Sequence, residues 1–332
     1  DQWNNAITDA EATISLIDGG AIRLQNGNGR NNHANRKIMA AVVVDNDGTA
    51  EKAARILGSS NGDSSNFAGG ISGKGTLLFT GGEDNGYSIR EVGVSDGLDG
   101  VLKLRVADAN SDGSGNDGAT RITFSVDSTY TGGTEIVNLL HVAAADALGK
   151  GPVAIEATGK LVVDNGTTLN VYDTIKSAGT IEGAIALQDG ASIDASAGAV
   201  AFDSLSVAEG VTIPVTLSAE VAVGAELATW ATGTVDAAAF SAELPAGLAL
   251  AVDGTTLKVV EGAPAGDLTW KNGSADWATG LPGYAAGANV TFGANESTEN
   301  VVVPADTPAA GAVTVSGDYA LGAENFDAAS LE

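Results

Sequence analysis

Glycine limits what this chain can fold into. Between residues 130 and 153, in YTGGTEIVNLLHVAAADALGKGPV, Gly132-Gly133 and the run from Gly149 to Pro152 bracket apolar segments only a few residues long. Segments that short, closed by residues that reach positive φ or preset the exit from a corner, read as strands. Side chains alternate along a strand, so Ile136, Leu140 and Val142 are expected to point into the interior. The punctuation continues at 164–166, Gly179, Gly183, 189–190, Gly198, Gly210 and Gly224. Between these turns lie VYDTIKS, TIEGAIAL, ASIDA, AVAFDSLSV and VTIPVTL, each a short strand by length and residue type. Turn spacing of roughly 8 to 12 residues suits a β-sandwich as well as a β-solenoid.

The earlier part of the chain reads the same way. ATISLIDGGAIRLQ predicts strands over 13–17 and 21–25, and IMAAVVV predicts one buried strand over 38–44. In AEKAARIL the helical propensity of 50–57 competes with the strand rhythm around it, and a strand over 53–57 is preferred. Further strands are expected over 87–94 and 101–106. Hydrophobic residues make up 44% of the chain but aromatic ones only 5%, with 45 glycines, which fits a folded core of small side chains and many turns.

The formal net charge of −26 sets the partners apart. Such a surface repels phosphate backbones and anionic headgroups, so nucleic acid and direct membrane insertion of this segment are not expected, whereas divalent cations are compatible. There are no cysteines, and no apolar run approaches the length of a membrane span. Asp1 in place of Met fits a processed or excised chain.

Residues 130–153 also resemble the autotransporter-associated β-strand repeat of bacterial surface proteins. The likeness is carried by Tyr130, Thr131, Gly132, Gly133 and Thr134, then by Ala147, Leu148, Gly149, Gly151, Pro152 and Val153. Upstream, GGISGKGTLLFTGG from Gly69 resembles the strand that precedes YTGGT in that family. Downstream, GTTLKVV resembles a closing strand, and Trp270 with Trp277 resembles the opening of the next unit.

The resemblance implies a right-handed parallel β-helix, an irregular β-solenoid with coils of roughly 20 to 25 residues, with the β-sandwich as the alternative. It divides the chain into one repeat unit over 1–263, with an inserted loop or hairpin region at about 84–119, and the beginning of a second unit over 264–332. It further implies a non-catalytic structural or adhesive module, extracellular or on the bacterial cell surface, with a host or matrix carbohydrate or protein as partner. Neither end reads as a capping coil, so end-to-end self-association into a filament is the alternative role.

One loop carries the chemistry of a metal site. In DANSDGSGNDGA, Asp108, Asn110, Asp112 and Gly113 match the first half of an EF-hand loop, where side-chain oxygens surround calcium at a glycine turn. Ala119 stands where the bidentate Glu belongs, and Asn116 and Asp117 are the substitute donors. Asn, Asp and Gly equally build an ordinary turn. Calcium is thus the one candidate cofactor. The same residues frame an enzyme alternative, a calcium-dependent polysaccharide lyase with Asp108, Asp112 and Asp117 beside Arg90 or Arg105. The acidic charge disfavours an anionic substrate, and no nucleophile triad or phosphate loop is present, so no catalytic residue is assigned. His33 has no metal-binding partner nearby, His141 reads as a structural or surface residue, and Trp270 and Trp277 read as interior residues rather than a sugar platform.

Overall fold

The computed structural model describes residues 10–23, 36–57, 64–80, 90–107, 120–245, 247–261, 268–271, 280–281, 289–294, 299–302, 310–316, 319–322 and 328–331. The fold is all-β, built from several mostly parallel sheets, with short 3-10 helices at Ala50–Lys52 and Ala237–Ala239. The chain forms two compact units, the first over 1–220 with 226–242 and 252–257, the second over 221–225, 243–251 and 258–332.

Three sheets make up the first unit, and the chain visits them in turn. The first sheet runs from Thr13–Ile17 through Ala41–Asp45, Ile71–Thr80, Val101–Val106, Thr134–Ile136, Val153–Ile155, Thr174–Ser177, Ser192–Asp194 and Ile213–Thr216 to Phe240–Ser241. The second runs from Arg36–Ile38 through Ser64–Phe67, Arg90–Val94, Thr120–Phe124, Leu139–Val142 and Lys160–Val163 to Thr180–Glu182. Thr168–Val171, Ala184–Leu187, Val200–Val207 and Glu226–Thr232 stand side by side in the third. Parallel neighbours need a crossover of a dozen or more residues, and here the path through the other sheets supplies it.

Register stacks like on like. In the first sheet Leu104, Thr134, Val153, Ile175, Ile193 and Val215 are successive partners and all are buried. Phe67, Val94, Phe124, Val142 and Val163 do the same in the second sheet, and Leu169, Ile185 and Leu205 in the third. Each such aliphatic side chain contributes roughly 1.5–3 kcal/mol by leaving water, so these ladders are the core. Ile136, Leu140 and Val142 are each fully buried, Ile136 from the first sheet and Leu140 and Val142 from the second.

Three expectations need revision. The apolar run at 38–44 is not one strand: Arg36–Ile38 belongs to the second sheet and Ala41–Asp45 to the first, with a corner at Met39 and Ala40. The next corner packs onto it so closely that a Cβ on Gly69 would lie 2.2 Å from the Met39 carbonyl oxygen, which accounts for glycine there. Within the region expected as an insertion, Arg90–Val94 and Val101–Val106 do not pair with each other; each takes parallel neighbours in its own sheet. Finally, the spacing between stacked partners varies more than 20 to 25 residues allow, from 16 for Thr168 and Ala184 to 34 for Ala21 and Arg55. Residues 50–57 divide as preferred, a 3-10 turn and then the strand Ala54–Leu57.

In the second unit Leu268–Thr269, Val290–Phe292, Ala310–Val315 and Ala328–Leu331 form a parallel sheet, and Glu299–Val302 pairs with Tyr319–Gly322. Trp270, 3% exposed, packs with Leu281, Val290, Phe292, Val301 and Val313. Its ring centroid lies 5.6 Å from that of Phe292.

Candidate functional site

The two glycine corners of residues 130–153 come together. Tyr130 is fully buried, and its hydroxyl lies 2.5 Å from the Thr134 hydroxyl. Burial pushes the phenol far above its usual pKa, the Thr134 contact opposing weakly, so Tyr130 is a neutral pillar. The Lys150 amide donates to the Tyr130 carbonyl at 2.9 Å, and the Thr134 amide donates to the Pro152 carbonyl at 2.8 Å. The YTGGT corner is thereby laid against the ALGKGP corner. A Cβ on Gly132 would meet the Leu102 carbonyl oxygen at 2.3 Å and one on Gly151 the Thr131 carbonyl oxygen at 2.4 Å, so both sites exclude a side chain.

That absence of side chains opens a groove of about 470 Å³ on the outer face of the first sheet. Gly132, Gly133, Pro152, Val153 and Ala154 line its apolar part, and Lys103, Glu135, Glu156, Thr174, Lys176 and Asp194 its polar part. Register sets the order of the central column: Arg105, Glu135, Ala154 and Lys176 are successive partners. Ala154 is the gap in an otherwise charged column. Glu135 is held by Arg105 at 2.7 Å and by Lys103 at 3.8 Å. The Asp194 carboxyl lies below the usual carboxylate pKa, chiefly because the Ser196 hydroxyl donates to it; partial burial opposes this, while the Ser196 amide and the Lys176 charge add to it.

A second polar cluster lies on the connection after the second-sheet strand Leu139–Val142. Asp146 accepts from Asn170 at 2.8 Å, from the Tyr172 hydroxyl at 2.9 Å and from Lys150 at 3.3 Å, while Asn170 accepts from Gln188 at 2.8 Å. The Lys150 ammonium sits 3.1 Å from the Tyr172 ring centroid. Partial burial pushes the Asp146 carboxyl up, and the hydrogen bonds from Asn170, Tyr172 and Lys150 together more than reverse it. The cluster ties together successive passes of the chain and offers no free functional group.

The sequence candidates fare differently. Asp108, Asn110, Asp112, Asn116 and Asp117 lie outside the described residues, as do His33 and Trp277. Among the described residues no group of three His, Cys, Asp or Glu is placed to hold a metal ion. Arg105 lies in the first sheet and is paired with Glu135; Arg90 begins a strand of the second. His141 is largely covered, its Nδ1 3.5 Å from an Asp164 carboxylate oxygen. Trp270 is interior. Nothing local in the sequence marks Lys103, Glu135, Lys176 and Asp194, which meet only through register. Comparison with protein-family models, with curated proteins and with solved structures finds no match to this chain.

In the groove Glu135 is engaged by Lys103 and Arg105, while Glu156 and Lys176 are exposed and Thr174 and Asp194 half-buried around an apolar floor.

Proposed function

We propose that the first unit is a right-handed parallel β-solenoid and that the chain serves as a non-catalytic structural and adhesive module outside a bacterial cell, of the autotransporter-associated kind that residues 130–153 resemble. The observation that carries this reading is the stacking of the two glycine corners. The two corners that carry the resemblance lie in contact, the Thr134 amide on the Pro152 carbonyl and the Lys150 amide on the Tyr130 carbonyl. A coil closed by such corners needs contact only with the coils on either side, so it extends without a central globular core. Acidic charge without cysteine suits a polymer that is exported unfolded and stays soluble outside.

Antibody raised against the chain should label intact source cells, and protease added from outside should remove the label. Labelling that appears only after permeabilisation would overturn the proposal.

A further inference from the structure

We propose that the groove over Ala154 is a binding site for a neutral saccharide. The inference gives a ligand class to the adhesive reading above. It starts from a local exception to the charge of the chain. The whole carries −26, yet the groove is lined by Lys103 and Lys176 as well as by Glu135, Glu156 and Asp194, and Arg105 beside it neutralises Glu135 at 2.7 Å. A site with both signs in balance complements a ligand without net charge. A polyanion is repelled by the rest of the surface.

An extended peptide is also a poor fit. Strand addition needs unpaired backbone N–H and C=O groups, but Val101–Val106, Thr134–Ile136, Val153–Ile155, Thr174–Ser177 and Ser192–Asp194 each have neighbours on both sides. Recognition must therefore come from side chains. The Lys103 and Lys176 ammonium groups donate, the Glu156 and Asp194 carboxylates accept, and a sugar hydroxyl does both. Between them the Pro152 ring and the Ala154 methyl offer a small apolar floor to the C–H face of a pyranose. The volume, about 470 Å³, falls within the range of small-molecule sites.

The test is a titration of the purified full chain, carrying labelled alanine methyl groups, with neutral tetrasaccharides of glucose, galactose and mannose and with tetragalacturonate as comparator. At least one neutral member should shift the Ala154 methyl with a Kd on the order of a millimolar, the value expected of a small ligand on an open groove. Tetragalacturonate should bind at least about tenfold more weakly, since ligand charge is what the argument excludes. Ala154→Tyr fills the floor and Lys176→Met removes a donor at similar volume; each should weaken binding roughly tenfold with the far-ultraviolet circular dichroism unchanged. If Ala154→Tyr does not fold, Lys176→Met decides alone. No shift with any neutral member up to about 50 mM, far above a millimolar Kd, overturns the inference. So does equal binding of the uronate, or unchanged binding by a folded Lys176→Met chain. These results are read on purified protein, so they leave the cell-labelling outcome independent.

Discussion

Replacing Gly151 by alanine should destabilise the chain although Gly151 sits at an ordinary φ. The new methyl carbon would lie 2.4 Å from the Thr131 carbonyl oxygen and 2.5 Å from the Gly133 amide nitrogen, both backbone atoms of the corner stacked beside it. Backbone cannot swing aside as a side-chain tip can, so the cost is that of overpacking, about 1–3 kcal/mol. Gly166→Ala is the complementary control: its φ is +86 and a Cβ would find nothing within 4 Å. It should show only the left-handed penalty of about 1–2 kcal/mol, less what alanine gains by restricting the unfolded chain. Gly149→Ala combines both effects, with φ +62 and the Tyr130 carbonyl oxygen at 2.3 Å, and should cost about 2–5 kcal/mol. Urea unfolding followed by circular dichroism measures all three, with the slope checked for constancy. If Gly151→Ala falls within about 0.5 kcal/mol of the parent, the range of ordinary surface changes, the two corners are not stacked as argued.

Acid should weaken the fold in a defined window. The Asp47 carboxyl is held at about 2 by the Thr49 amide and hydroxyl and by Lys52, and those of Asp146 and Asp194 are also lowered. Groups with depressed folded pKa contribute stability that is fully present above the unfolded value near 3.8 and is lost as pH falls through the folded value. The urea midpoint should hold steady above pH 5 and drop below about pH 4, less steeply in Asp146→Asn; a midpoint that rises on acidification contradicts the hydrogen bonds assigned to these groups. The acidic loop at 108–119 is tested with calcium, which should raise the thermal midpoint of the parent and not of the Asp108→Ala, Asp112→Ala double variant. Equal midpoints in calcium and in chelator end that proposal.

Local pattern carried much of this fold. Thr13–Ile17 and Val101–Val106 stand where alternation places them, because a strand with one buried face repeats every two residues. What alternation cannot convey is which strand lies alongside. Partner spacing varies between 16 residues for Thr168 and Ala184 and 34 for Ala21 and Arg55, so there is no fixed period to detect. The corner at Met39 and Ala40 was invisible for a related reason: Ile38, Ala40, Val42 and Val44 are all buried, so alternation passes through the bend unbroken. The groove is less legible still. Glu135, Ala154 and Lys176 form one column only because the intervening lengths of chain bring them into register. Asp146 with Lys150 had a sequence signature as an i, i+4 pair, but Tyr172 and Gln188 arrive from later passes.

Cysteine pairing reads parallel, in-register stacking directly, because the chain has no cysteine of its own. Ala154 and Lys176 are direct partners in neighbouring strands, and Lys176 is two strands removed from Glu135. Neighbouring strands lie about 4.8 Å apart, within disulfide reach, whereas a two-strand separation of roughly 9.6 Å is beyond it. The Ala154→Cys, Lys176→Cys chain should therefore close a disulfide under mild oxidation, and the Glu135→Cys, Lys176→Cys chain should not. Closure of the second pair without the first would contradict the stacking on which the fold, the groove and the proposed function all depend.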